Sequence, residues 1–377
     1  MAFPTGWSRR CLLTIDKTYV SASNQTDFPV LVSYRASGSA TNLPDEMIQT
    51  GHANAAQADG GDIRFTSDTA GSITLPCEIS CWSQNATVAN AQAEIWVKIP
   101  TLSTSANTDF YVWYKGGGSE TQPATNSVSG SYKVWDSNYL GVWHMNQRTG
   151  SSFDSTANQI FLTGSGDVKA ISGGKFGSGS TYDATGDIYS ASGWIPPNDA
   201  MTMQVWIKPD QNTRAVLCWK EGGIQDRQMR VGSPATTYFY TNRAGAVFAN
   251  GTTVFDLVNW YSIAGVVDTT LGSRVYVNGD VEDTNINGTV GGYQSYTSAV
   301  QFFVGYNGGD LDYSGLMDEI RISNNTRSNT WLKTEYNNQQ RPDVFIITGT
   351  PAATVDTSIT QRILLQNATL RNCRIGV

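Results

Sequence analysis

The sequence predicts an all-β protein with two strand-rich regions joined by a linker. Three observations predict it: short runs rich in β-branched and aromatic residues recur along the chain, turn residues bound each run, and charge is sparse. Charged residues make up 15% of the 377, against 40% hydrophobic residues and 37 glycines. Branched and aromatic side chains pack well on a pleated surface, and Gly, Asn and Asp supply the turns between strands. A chain of this length is long enough for two separate cores.

Residues 1–115 read as a run of short strands, the first all-β region. CLLTID alternates around Leu12, Thr14 and Asp16, and FPVLVSY (Phe28 to Tyr34) has the continuous apolar character of a buried strand. DIRFT, LPCEISCW, AEIWVKIP and DFYVWYK follow, each bounded by Gly, Ser, Asn or Asp. KGGGSETQPATNSVSGS, Lys115 to Ser131, is the strongest linker signal, and residues 116–138 are assigned to it. The second all-β region spans 139–349 and contains MTMQVWIKP, AVLCWKE, TTYFYTN, NWYSIAGVVD, SRVYVNGD, VQFFVGY and GLMDEIRIS. One helix is predicted: Ser328 supplies an N-cap, and NTWLKTEYNNQ places Trp331, Leu332 and Tyr336 near one face. Residues 350–377 are polar with short alternating pieces, and read as an appended C-terminal arm.

Charge excludes one class of partner. A net charge of −7 and a pI near 4.9, with scattered basic residues, leave no basic stripe for a nucleic-acid backbone. No segment approaches membrane-spanning length, so membrane insertion is not expected, and MAFPTGWSRRCLLTID lacks an apolar core of signal-peptide length. The five cysteines form no C-x-x-C pair. Cys77 and Cys81, four residues apart in a strand, stand roughly 13 Å apart at ~3.3 Å per residue, too far to bridge. A reduced state is expected.

Two resemblances emerge from the motifs. GWSRRCLLTID, DFPVLVSY, GGDIRFTSD, LPCEISCW, AEIWVKIP and DFYVWYKGG resemble, in order, a domain of unknown function found in bacterial, archaeal and phage multidomain surface proteins. The chain departs from that pattern at Cys77 and Cys81. GVWHMNQ, DSTAN, MTMQVWIKP, WYSIAGVVD, RVYVNGD and YSGLMDEIRISNNTRSNTWLKTEYNNQ resemble a laminin G-type, concanavalin A-like lectin domain. That second resemblance implies a two-sheet antiparallel sandwich, and the two together imply an all-β chain of two antiparallel β-sandwich, jelly-roll-like domains, the second concanavalin A-like.

The fold named by that resemblance also carries laminarinase-type glycosidases, whose paired carboxylates come from an E-x-D-x-x-E strand. Retaining glycosidases need two carboxyl groups about 5–5.5 Å apart. In LMDEIRIS, a strand period of two sends Leu316, Asp318, Ile320 and Ile322 to one face and Met317, Glu319, Arg321 and Ser323 to the other. The adjacent acids are therefore expected to diverge, which argues against hydrolysis. Of the two histidines, His52 falls in a loop and His144 reads as a packed strand residue. No G-x-S-x-G, H-E-x-x-H or P-loop motif is present. No catalytic residue is assigned.

Asp318 is expected on the core face near the strand's start, where a carboxylate needs a partner. That partner is either a set of backbone N–H groups, an arginine or calcium, which takes several oxygen ligands. Many laminin G-type domains hold calcium at the sandwich rim, and the resemblance implies Asp154 in FDSTAN as a second ligand candidate. YNGGDLDYSG combines aromatic and polar groups suited to a sugar, giving Tyr306, Asn307, Asp310, Asp312 and Tyr313 as carbohydrate-binding candidates; ordinary turn chemistry is the alternative. Trp96, Trp206 and Trp260 read as core. Trp194, in SGWIPPND, is the candidate exposed stacking platform.

The expected function is a non-enzymatic surface protein of a virion, in its capsid decoration or its tail or fibre. It is expected to be made in the host cytoplasm without a signal peptide and to adhere to cell-surface polysaccharide. Other virion structural proteins are the expected partners, through an arm that adds a strand to a partner edge, with homo-oligomers a further expectation. The alternatives are a purely structural decoration protein and a polysaccharide-degrading enzyme.

Overall fold

The computed structural model describes residues 3–35, 40–147, 150–183, 186–197, 200–212, 214–221, 224–243, 245–268, 272–285, 300–306 and 312–354. It is all-β with few short helices, as the composition predicts. The first sandwich sets a three-stranded sheet (Gln25–Tyr34, Gln92–Leu102, Cys77–Ser83) against a larger one built on Arg9–Ile15, Thr108–Tyr114 and Arg64–Thr66. The second has two eight-stranded sheets. We call them inner and outer by their position relative to the first domain.

The inner sheet runs Lys169–Ser172, Ser178–Asp183, Ser314–Ser323, Ala200–Pro209, Tyr261–Asp268, Gly272–Val277 and Asp280–Asn285, with Tyr139–Trp143 also paired to Ser314–Ser323. The outer sheet contains, at one end, Gln301–Val304, Ile188–Ser192, Leu162–Ser165 and Ser151–Ser152. Strand alternation fills the space between them. Met201, Met203, Val205 and Ile207 meet Trp219, Phe302 and Val304 there.

The opposite face of the inner sheet is also buried. Trp206, Ala264, Val266 and Tyr276 belong to a second core, shared with Trp96 and Trp135 of the first half of the chain. The predicted helix forms over Asn329–Gln340, and the Ser328 hydroxyl accepts from the Trp331 N–H at 3.1 Å. It lies across the domain junction: the rings of Phe28 and Trp331 are 4.7 Å apart. Asn338, fully buried, accepts from the Leu31 N–H at 2.7 Å and donates to its carbonyl at 3.1 Å. One side-chain amide thus completes the edge of Gln25–Tyr34 as a further strand would.

Two segments behave differently from their composition. The Gly- and Ser-rich stretch after Lys115 is tied down, because the Glu120 carboxylate gathers the N–H groups of Gly117 at 2.7 Å and Gly118 at 2.8 Å. Past the helix the chain returns to the first domain. Ile346–Thr348 and Ala352–Ala353 both pair with Arg9–Ile15, so the described start of the expected arm lies in that sheet; residues 355–377 lie outside the described residues. Cys11, Cys77, Cys81 and Cys218 are free thiols, and Cys77 and Cys81 share one strand.

Asn338→Ala leaves two buried groups of Leu31 unpaired, at about 1–3 kcal/mol each. A fall in unfolding free energy of that order, measured by urea denaturation, is the expected result.

Candidate functional site

The two acids of LMDEIRIS do not diverge. Register with Ala200–Pro209 shifts within the strand: Asp318 faces Trp206, but Arg321 faces Gln204, so Glu319 and Ile320 together oppose Val205. Glu319 is the bulged residue, with φ +51°. A bulge adds one residue and inverts the alternation beyond it. Met317, Ile320 and Ile322 therefore enter the sandwich core, while Asp318, Glu319 and Arg321 turn together toward the first domain. This corrects the expectation that Asp318 shares the core face with Leu316, Ile320 and Ile322.

At the domain junction these side chains build a buried ionic cluster. The Glu319 carboxylate contacts His144 Nδ1 at 2.5 Å and accepts from Arg321 at 2.8 Å. Arg321 also donates to Glu335 at 3.0 Å, and its guanidinium lies 4.3 Å from the Trp96 ring and 5.0 Å from that of Trp135. The other imidazole nitrogen of His144 is 3.4 Å from Glu78, whose carboxylate accepts from the Trp135 indole at 2.7 Å.

Burial alone would lower the His144 pKa, but the Glu319 and Glu78 carboxylates overcome it and hold the imidazolium well above its usual range. Burial would likewise raise Glu319, yet His144 and Arg321 keep it below the usual carboxylate value. Glu94 is pushed up to about 8 by burial and then by the charge of Glu319. Asp318 is raised for the same two reasons; its oxygens accept from the N–H groups of Phe176 and Glu319, each at 2.9 Å. Asp318 and Glu319 are 1% and 2% exposed, so this strand presents no carboxylate pair to a polysaccharide.

An open surface lies instead on the outer sheet. Ile160, Phe161, Thr163, Ser190, Ala191, Ser192, Gly193 and Trp194 line a cleft of about 670 Å³. Trp194 follows the strand Ile188–Ser192 and is partly exposed. Its position is fixed by the rings of Trp143 (5.6 Å), Trp219 (5.1 Å) and Phe302 (5.1 Å), and by the Trp219 indole donating to its carbonyl at 3.1 Å. Phe161 is 49% exposed and meets Phe153, 58% exposed, edge to face at 5.6 Å. These two phenylalanines flank a loop that Asp154 organises. Its carboxylate accepts from the N–H groups of Val142 at 3.0 Å, Thr156 at 2.9 Å and Ile160 at 2.9 Å, and from the Thr156 hydroxyl at 2.8 Å. Burial raises the Asp154 pKa despite these bonds.

Two family models match the chain. Residues 177–333 match the Concanavalin A-like lectin/glucanases superfamily, and residues 59–156 match the Domain of unknown function (DUF2341). The chain carries a DUF2341 domain followed by a concanavalin A-like lectin domain. No curated protein matches it. Among solved structures, it is similar to domain 4 of AbnA, a GH43 extracellular arabinanase from Geobacillus stearothermophilus, in complex with arabinotriose. That likeness has 19% identity, covers 53% of this chain and 98% of that one, and has a TM-score of 0.42. It is also similar to the binding domain of Paraclostridial Mosquitocidal Protein 1, at 12% identity over 53% of this chain, with a TM-score of 0.43; the match spans 52% of that chain. A heptameric SAP-like pentraxin from Limulus polyphemus matches at 19% identity, over 37% of this chain and 72% of that one, with a TM-score of 0.31.

Within the lectin-like domain, the candidate residues separate. Trp194 stands in the cleft. Tyr306 is partly exposed beside Phe303 (5.2 Å between rings), and it is not among the residues lining the cleft. Tyr313 is fully buried, edge-on to Tyr182 at 5.6 Å with its hydroxyl donating to the Leu316 carbonyl at 3.1 Å; it is a core residue, which corrects its assignment to sugar contact. Asp312 accepts from the Gly186 N–H at 3.1 Å. Asn307 and Asp310 lie outside the described residues. The Asp154 and Asp318 carboxylates are engaged by N–H donors, and among the described residues no group of three His, Cys, Asp or Glu side chains is arranged to hold a metal. Phe153, Phe161, Thr163, Ser190 and Ser192 were missed; the signal was two phenylalanines bracketing a polar turn, and Ser alternating with Tyr189 and Ala191.

Glu94 gives this junction a pH dependence with a definite sign. Its folded pKa, about 8, lies above the ordinary glutamate value near 4.5, so its stabilising share is complete below 4.5 and lost as pH rises through 8. Glu94→Gln should equal the parent near pH 4.5 and exceed it in melting temperature at pH 8. A tenfold change in proton affinity is worth about 1.4 kcal/mol, so the gap is on the order of a few kcal/mol. Parallel melting curves across that range for both proteins would refute this.

Proposed function

We propose that this chain is a non-catalytic surface module that adheres to glycans through the cleft at Trp194. The observation that carries the reading is a rigid, partly exposed indole beside an exposed phenylalanine pair, on the one sheet whose far face the first domain leaves open. Aromatic faces with a few placed polar groups are what a sugar-binding surface requires. The setting we propose is the surface of a virion, with other virion proteins as partners. Support for that setting comes from the pairing of this lectin-like domain with a domain whose sequence resembles those of phage and microbial surface proteins.

A glycan array probed with the full chain tests the reading. Trp194→Ala should weaken capture at least about tenfold, or ~1.4 kcal/mol, while Tyr306→Ala leaves it unchanged. Equal loss from both variants, or none from Trp194→Ala, would move the site elsewhere.

A further inference from the structure

The lining of the cleft defines which glycans it accepts. We propose that its ligand is a neutral polysaccharide, held by ring stacking and hydroxyl hydrogen bonds, without a metal ion or an ionic contact. This rests on the glycan-binding reading above and narrows it.

The polar side chains among the described residues of the cleft are hydroxyls. Thr163 and Ser190 are register partners on adjacent antiparallel strands, so their side chains stand together on one face. Ser192 lies two residues beyond Ser190 and points the same way, roughly 7 Å further along the strand. Together they place three hydroxyls on a lining that also carries Phe161 and Trp194. None of the three hydroxyls hydrogen-bonds to another described residue, and neither does the Trp194 indole N–H. A hydroxyl both donates and accepts, which suits the mixed donor and acceptor edge of a sugar.

Charge is the second observation. Every described residue lining the cleft is uncharged. Carboxylate- or sulfate-bearing glycans are recognised through Arg or Lys, with Arg favoured for its two-pronged hydrogen bonding. A chain of net charge −7 would also repel a polyanion at low salt. The nearby Asp154, the only carboxylate on the Phe153–Phe161 loop, has its oxygens taken by four donors, one of them the Ile160 N–H of the cleft wall. It does for this loop what a bound cation does elsewhere: it gathers the backbone around one point. Asp154 is thus a positioning residue for the loop that carries Ile160 and Phe161 of the cleft, and no bridge to the sugar.

Affinity electrophoresis and calorimetry of the full chain test the inference. The probes are soluble neutral polysaccharides (glucan, galactan, arabinan, xylan) and uronate- or sialate-bearing ones, each at low and high salt and with calcium or EDTA. We expect binding to at least one neutral member, unchanged by salt and by EDTA. Ser190→Ala and Ser192→Ala should each weaken it about two- to tenfold, with no change in melting temperature because both side chains face solvent. Binding confined to the anionic members, or abolished by high salt or EDTA, overturns the neutral-ligand inference and leaves glycan binding standing. Absence of binding to every member, neutral and anionic, overturns both.

Discussion

The Arg321 guanidinium is the interaction on which the arrangement depends. It is 1% exposed, at the junction of two domains, and its charge is met by Glu319 and Glu335 of the second domain and by the Trp96 and Trp135 rings from the first half of the chain. A buried charge is tolerated only with its partners in place, and removing one partner costs about 3–5 kcal/mol. The central strands of the inner sheet therefore have no open outer face: they are closed by Trp96, Trp135, Glu94 and the helix Asn329–Gln340, while the edge strands Lys169–Ser172 and Asp280–Asn285 stay largely exposed. The outer sheet and the loops at its edge are left open to a ligand. This is where the Trp194 cleft lies.

One backbone conformation sets this division. Glu319 adopts a left-handed φ, unusual for a residue with a side chain. The extra residue it inserts puts Asp318, Glu319 and Arg321 on the same side while Ile320 and Ile322 keep the core. Without it, strand alternation would drive either the two isoleucines or the acid–arginine group into the wrong environment. The contact of the Glu319 carboxylate with His144 and the hydrogen bond it accepts from Arg321 supply the compensation such a conformation needs.

Much of this fold was legible in the sequence, for reasons that can be located. Short runs bounded by turn residues gave the strands, and Ser328 with Trp331 and Leu332 gave the helix, because both signals are local. The bulge was not legible: LMDEIRIS alternates well enough to satisfy a regular strand, and only pairing with Ala200–Pro209 reveals the extra residue. The closed inner face was hidden for a related reason: Glu94 and Trp96, two residues apart, share one face of a strand, and nothing local says that a second domain covers that face. At the cleft, Trp194 stood out by its Pro-rich neighbourhood. Tyr313 misled because the same loop composition serves exposed turns and buried ones.

The loop Phe153–Phe161 links the two halves of the account. Asp154 ties it to the Val142 N–H on the strand beside Arg321, and its far end carries Phe161 of the cleft, which meets Phe153 edge to face. The packed junction is thus continuous with the surface that meets the ligand. Hydrogen–deuterium exchange of the full chain, with and without a captured polysaccharide, tests this most directly. The account predicts slow exchange along Ser314–Ser323 in both states, and ligand protection confined to residues 151–165 and 188–196. Rapid exchange along Ser314–Ser323, or protection that appears there and not at the cleft, would contradict it.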